Sequence, residues 1–113
     1  MGKNADIVME KRANYQQGIM SIGGKILLTK TLLIFKPHDL NICRKEIVIE
    51  LKDIIDVGKT ETKLGLSKEI WVHSKGTHER FVVWGRDEFI HAIKNQVRIG
   101  SRRFNEINCG NRG

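Results

Sequence analysis

The stretch Gly23–Asn41, GGKILLTKTLLIFKPHDLN, carries two apolar bursts, KILLT and LLIF, a few residues apart. A Gly-Gly pair precedes them and Pro37-His38 follows. A continuous helix from Lys25 to Lys36 competes with two short strands. The helix would be apolar nearly all round in its second half, and no capping residue opens it. Ile26, Thr29, Thr31, Ile34 and Phe35 are β-branched or aromatic, the side chains that fit a pleated, half-buried surface. Strands are therefore expected at Lys25–Thr29 and Thr31–Lys36, with a tight turn at the Thr29-Lys30-Thr31 junction. Gly23-Gly24 is expected to be the hairpin turn leading into them, because both residues tolerate positive φ. Pro37 has no N–H to give a ladder and ends the run.

Working outward, Asp6–Ile22 suits a first strand that becomes better buried toward Met20 and Ile22. On the other side, Lys45–Leu51 alternates, with Ile47, Ile49 and Leu51 inward and Val48 and Glu50 outward. Lys52-Asp53 is a break, and Ile54, Ile55 and Val57 begin a fifth strand. Thr60–Leu66 reads as a loop around Gly65. Ile70–His73 and Glu79–Trp84 are the last two strands, a second hairpin turning at Lys75-Gly76-Thr77. After Gly85 the period changes. Phe89, Ile90, Ile93 and Val97 fall at helical spacing, and Asp87 and Glu88 in the first turn suit the helix dipole. A helix is expected over 86–99, with Gly100 as its stop. The remaining SRRFNEINCGNRG has little apolar content and no period, so residues 101–113 are expected to be a flexible polar tail behind a domain over 1–100. About seven antiparallel strands and one C-terminal helix in so short a chain imply a mainly β fold, a small barrel or two packed sheets with the helix covering an end.

These segments together resemble a GRAM domain, a family with the pleckstrin-homology (PH) fold. The resemblance rests on Gly24, Leu28-Thr29, Ile34-Phe35 and the run Ile49-Glu50-Leu51-Lys52-Asp53-Ile54, followed by ERFVVWGRDEFIHAI. It covers roughly residues 13–96, and it lies in the order and spacing of the motifs more than in any one of them. It implies a PH-like barrel or sandwich of seven antiparallel strands capped by a C-terminal helix, and a binding role toward anionic lipid or protein. The inositide-binding PH pattern sets a Lys and an Arg-x-Arg or Lys-x-Arg group around the first hairpin. Here Lys25 and Lys30 stand there with no arginine, so tight inositide headgroup recognition is not expected.

Composition agrees with a binding module. The chain has 113 residues and a formal net charge of +7, and a basic surface attracts phosphates and other anions. Arg102, Arg103 and Arg112 against Glu106 leave +2 in the last thirteen residues, so +5 remains in the first hundred. Apolar runs reach four residues, as in LLIF, where a membrane span needs about 20. No signal-peptide core opens the sequence, and Asp6 stands where myristoylation wants Ser or Thr. A cytoplasmic protein, peripheral at a membrane, is the expectation. Cys43 and Cys109 form no disulfide framework.

The candidate lipid-binding residues are the bases near loops and strand ends: Lys25, Lys36, Arg44, Lys45, Lys59 and Lys63. Arg44 could grip a phosphate with both arms of its guanidinium. The plainer reading of each is a solvated charge on an exposed turn. Trp71 and Trp84 alternate against core positions on adjacent strands. Either they form an outward partner-binding pair or the helix or tail covers one of them. His73 and His78 could meet across the second hairpin turn. No nucleophile spacing, metal-ligand set or phosphate-cradling loop accompanies them, so neither an enzyme nor a cofactor is expected. Nucleic acid is disfavoured for want of an aromatic pattern among the bases. A protein-interaction or self-assembly domain with no lipid role is the alternative.

Overall fold

The two apolar bursts of Gly23–Asn41 are strands in the computed structural model, which describes residues 7–38, 46–60 and 68–112, the stretch 101–112 by backbone alone. β1 (Ile7–Gln17) and β2 (Met20–Thr29) make a long hairpin, followed by β3 (Leu32–Pro37) and β4 (Ile47–Glu50). A 3-10 turn, Leu51–Asp53, leads into β5 (Ile54–Lys59), β6 (Glu69–Ser74) and β7 (Thr77–Val83). The seven strands form one antiparallel sheet in the order β4-β3-β2-β1-β7-β6-β5. This is the mainly β, helix-capped architecture expected from the strand pattern.

The first hairpin turns elsewhere than expected. Its turn is Gly18-Ile19, with Gly18 at φ +60, and Gly23 and Gly24 lie inside β2. Gly24 is required by crowding rather than by turning. A Cβ there would overlap the Lys36 carbonyl oxygen and stand 2.9 Å from Pro37 Cα and from the Phe35 ring. Pro37 is the last residue of β3, where its missing N–H costs no ladder bond. The β2–β3 turn is organised by the buried Thr29 hydroxyl, which accepts from Thr31 N (3.2 Å) and Leu32 N (2.8 Å). A polar side chain is buried there because its hydrogen bonds are made locally. The second hairpin turns at Lys75-Gly76, with Gly76 at φ +83, as the residue types predict.

Alternation along the strands sends Ile26, Leu28, Leu33 and Phe35 inward against Ile70, Val72, Phe81 and Val83. Tyr15, Phe35 and Phe81 form a closed triangle of rings at the centre, with centroids 5.4–5.9 Å apart. Each fully buried aromatic or branched side chain contributes about 1.5–3 kcal/mol from area removed from water.

Gly85, at φ +84, swings the chain from β7 into helix α1 (Arg86–Arg112). Phe89 and Ile93 of α1 are fully buried and Ile90 nearly so, which makes the helix the lid on one end of the sheet. Its start is fastened on both sides. The Arg86 guanidinium donates to the carbonyls of Thr60 (3.1 Å) and Glu69 (3.2 Å), Lys11 pairs with Glu88 at 2.6 Å, and Lys59 pairs with Asp87 at 3.1 Å. The expected stop at Gly100 is not used: the helix is continuous to Arg112, through the expected boundary between 100 and 101. A glycine inside a helix costs only about 1 kcal/mol relative to alanine, which propagation from a packed first half overcomes. Among the described residues, no helix is long and apolar enough to cross a membrane.

Candidate functional site

Two regions of the surface collect the residues that could meet a partner. The first is the end of the sheet at the β1–β2 turn. β1 climbs to Gln17 and β2 descends from Met20, so Gly18-Ile19 is a tip. Ile19 is completely exposed, at 103%, and Met20 is half exposed. β7 reaches this hairpin only as far as Arg80 opposite Gln16, and the β6–β7 turn, with exposed Lys75, is bound to the start of β5 by Lys75 N donating to the Asp53 carbonyl at 2.9 Å. Just inside this end, the Tyr15 hydroxyl donates to Glu79 Oε1 at 2.7 Å, and Thr77 Oγ1 donates to Glu79 Oε2 at 2.5 Å. Burial, then the hydrogen bond and the charge of Glu79, push the Tyr15 phenol up to about 12. The inner wall here therefore holds a carboxylate, Glu79, satisfied by two hydroxyl donors.

The second region is the outer face of β3, β2, β1 and β7. Residues opposite each other in register share a face. Lys36 lies opposite Lys25, Lys25 opposite Arg12, and Ala13 opposite Val83, which sets Arg12 against Trp84. The Trp84 amide donates to the Arg12 carbonyl at 3.1 Å. The guanidinium of Arg12 lies 5.5 Å and the ammonium of Lys68 5.4 Å from the centroid of the Trp84 ring. Those distances are within cation–π range.

Of the lipid-binding candidates, Lys25 and Lys36 are neighbours on the outer face; Lys25 lies inside β2 rather than at a hairpin turn, and Lys36 is the next-to-last residue of β3, beside the β3–β4 connection. The cause for Lys25 is the shifted β1–β2 turn, which moves every β1 partner of β2. Both have nearby carboxylates: Lys25 Nζ is 3.6 Å from Glu10 and Lys36 Nζ 3.9 Å from Glu46. Lys59 is at the helix end of the molecule, paired with Asp87. Arg44, Lys45 and Lys63 lie outside the described residues, as do most of the loops read at His38–Asn41 and Thr60–Leu66.

Trp71 and Trp84 share the outer face but are not a cross-strand pair. Opposite Trp71 stand Arg80 and Gly58. Its indole stacks on His78 (6.2 Å, 14°) and covers Gly58, where a Cβ would collide with the ring. His73 and His78 do meet across the hairpin, edge to face at 5.4 Å. Among the described residues, no group of three or more His, Cys, Asp or Glu is placed to hold a metal ion.

Arg12, Lys68, Ile19 and Met20 were not singled out by sequence reasoning. Gln16-Gln17-Gly18, a polar step into a lone glycine, is the signal that would have placed the turn and exposed Ile19. The Arg12–Trp84 juxtaposition needs the β1–β7 register, which no local pattern encodes.

The family model described as "GRAM domain" matches residues 1–99. The chain belongs to the GRAM domain family. No curated protein matches it significantly. Among solved structures, it is similar to the C-terminal domain of an unknown protein from Leishmania infantum, at 17% identity and a TM-score of 0.71, over 80% of this chain and 83% of that one. The N-terminal PH domain of human ARAP2 matches at 15% identity and TM-score 0.67, over 82% and 81% of the two chains. The N-terminal PH domain of Vps36 matches at 16% and 0.64, over 81% and 78%. At these identities the likeness is one of fold: a PH-like sheet with its terminal helix. Domains of this family and fold are in general non-catalytic binding modules for lipids or proteins.

Proposed function

We propose that the domain docks at an anionic membrane surface through the β1–β2 tip. The observation that carries this reading is the fully exposed Ile19 beside half-exposed Met20 at the end of a hairpin, on a chain of formal net charge +7. A large branched side chain in water gains about 1.5–3 kcal/mol on entering an apolar layer, and a basic protein is drawn toward an anionic leaflet before it touches it. Attraction by the charge comes first, then insertion of the tip. Glu79, in the inner wall behind the tip, argues for contact with the bilayer surface rather than capture of a single polyanionic headgroup. Arg44 and Lys45, which lie between β3 and β4 in sequence, are proposed as further phosphate contacts.

Co-sedimentation with phosphatidylserine-containing vesicles at low and high ionic strength tests the proposal. Binding at low salt, weakened but not abolished at high salt, is expected. Absence of binding at low salt overturns it.

A further inference from the structure

We infer that the outer face of the sheet carries a second site, built by Lys36, Lys25, Arg12, Trp84 and Lys68, for an extended acidic peptide of a partner protein. The first four occupy one row across β3, β2 and β1 to Trp84, the residue just after β7. With strands about 4.8 Å apart, that row is about 14 Å long. In an extended peptide, alternate side chains recur about 6.8 Å apart on one side, so carboxylates at every second residue over five residues span about 14 Å. The row thus matches three alternate acidic side chains laid across the strands.

The charge at the Trp84 end is the part free to receive a ligand. Lys25 and Lys36 have Glu10 and Glu46 nearby, at 3.6 and 3.9 Å. Arg12 and Lys68 have no carboxylate partner among the described residues, and both are held against one indole ring. Two cations kept together by an aromatic ring gain when a carboxylate enters between them, and the guanidinium offers it a fork of parallel donors. Trp84 is 38% exposed, leaving apolar surface for the side chains between the acids.

This site is separate from the tip, and it does not depend on the membrane reading. Arg12 is five residues down β1 from Gln17, about 17 Å along the strand. A bilayer met tip-first has a headgroup layer about 5–8 Å deep on each side, and its field decays over about 8 Å at physiological salt. The row stays clear of both, so one molecule can hold a membrane and an acidic segment at once.

The experiment is fluorescence anisotropy of a labelled octapeptide of alternating Asp and Ala, titrated with the full chain. Saturable binding is expected. The double variant Arg12→Gln/Lys68→Gln is expected to weaken it at least tenfold with an unchanged thermal melt, and Ile19→Ser to leave it unchanged. Lys25→Gln/Lys36→Gln, at the other end of the row, is expected to weaken it by a smaller factor. The same Arg12→Gln/Lys68→Gln protein is expected to sediment with phosphatidylserine vesicles within threefold of the unsubstituted chain. The proposal is overturned by absence of peptide binding, or by peptide binding indifferent to Arg12 and Lys68. It is equally overturned if vesicle binding is lost with that pair, which would make the face a membrane face. Tighter, pair-dependent binding of a thymidine oligonucleotide of equal charge would assign the row to nucleic acid instead.

Discussion

Replacing Ile19 by serine isolates the apolar part of membrane docking. The side chain is completely exposed in the free protein, so nothing is lost from the core, and folding stability should change by no more than about 0.5 kcal/mol. Gly18 keeps the positive φ of the turn, so the hairpin geometry is retained. On a vesicle, the isoleucine surrenders its whole surface to the acyl boundary, worth about 1.5–3 kcal/mol. At about 1.4 kcal/mol per factor of ten, Ile19→Ser should weaken vesicle binding roughly 10- to 150-fold. The substitution leaves the charge untouched, so the salt dependence should keep its slope while the whole curve moves to weaker binding. Co-sedimentation across a lipid series, at two ionic strengths, reads both quantities. An affinity within threefold of the unsubstituted chain would refute tip insertion and leave only diffuse charge attraction. A changed slope would show that the turn residue acts through the arrangement of the bases.

Three further outcomes follow from the packing. Gly24→Ala sets a Cβ into the Lys36 carbonyl and against Pro37, so urea denaturation should show a loss of about 1–3 kcal/mol, as for other overpacked sites. Phe35 and Phe81, with centroids 5.8 Å apart, should couple by about 0.5–1.5 kcal/mol in a double-mutant cycle of Phe→Leu changes; additive losses would deny the ring contact a contribution of its own. The chain has one tyrosine, so its ultraviolet titration is read without overlap. The midpoint should lie near 12 rather than 10.0 and fall in Glu79→Gln, which keeps an acceptor but removes the charge. The raised value belongs to the folded state, so the stability it represents is whole below pH 10 and is lost as pH rises from about 10 toward 12.

The core was legible because alternation is local. Ile26, Leu28, Leu33 and Phe35 announce their inward face by spacing two, and Phe89, Ile90 and Ile93 theirs by helical spacing. Gly23-Gly24 misled because glycine answers two different needs, a positive φ and a missing Cβ, and the residue type does not say which. Only the neighbours of the folded strand, Lys36 and Pro37 against Gly24, decide it. That one turn then controlled the reading of the site. With the turn at Gly23-Gly24, Lys25 would stand beside the end of the first strand; with the turn at Gly18-Ile19, it stands opposite Arg12. Lys59, a plausible loop base by sequence, is committed to Asp87 across 28 residues, a distance no local pattern spans. Gly100 resembles a stop, but helix termination depends on whether the preceding turns are held, and here Phe89 and Ile93 hold them.

The β1–β2 hairpin is supported unevenly along its length. β7 flanks β1 only from Ala13 to Gln16, and β3 flanks β2 only from Gly24 to Leu28, extended by the bond from His38 N to the Gly23 carbonyl. From Gln17 to Ile22 the ribbon has no further strand beside it among the described residues, like a cantilever clamped at its root. Its load-free end can therefore bend to follow a curved or fluctuating surface while the ring triangle below stays still. Amide exchange should record this as a gradient, fast at Met20 and slow at Ile26, and bilayer contact should stiffen the beam from its tip downward.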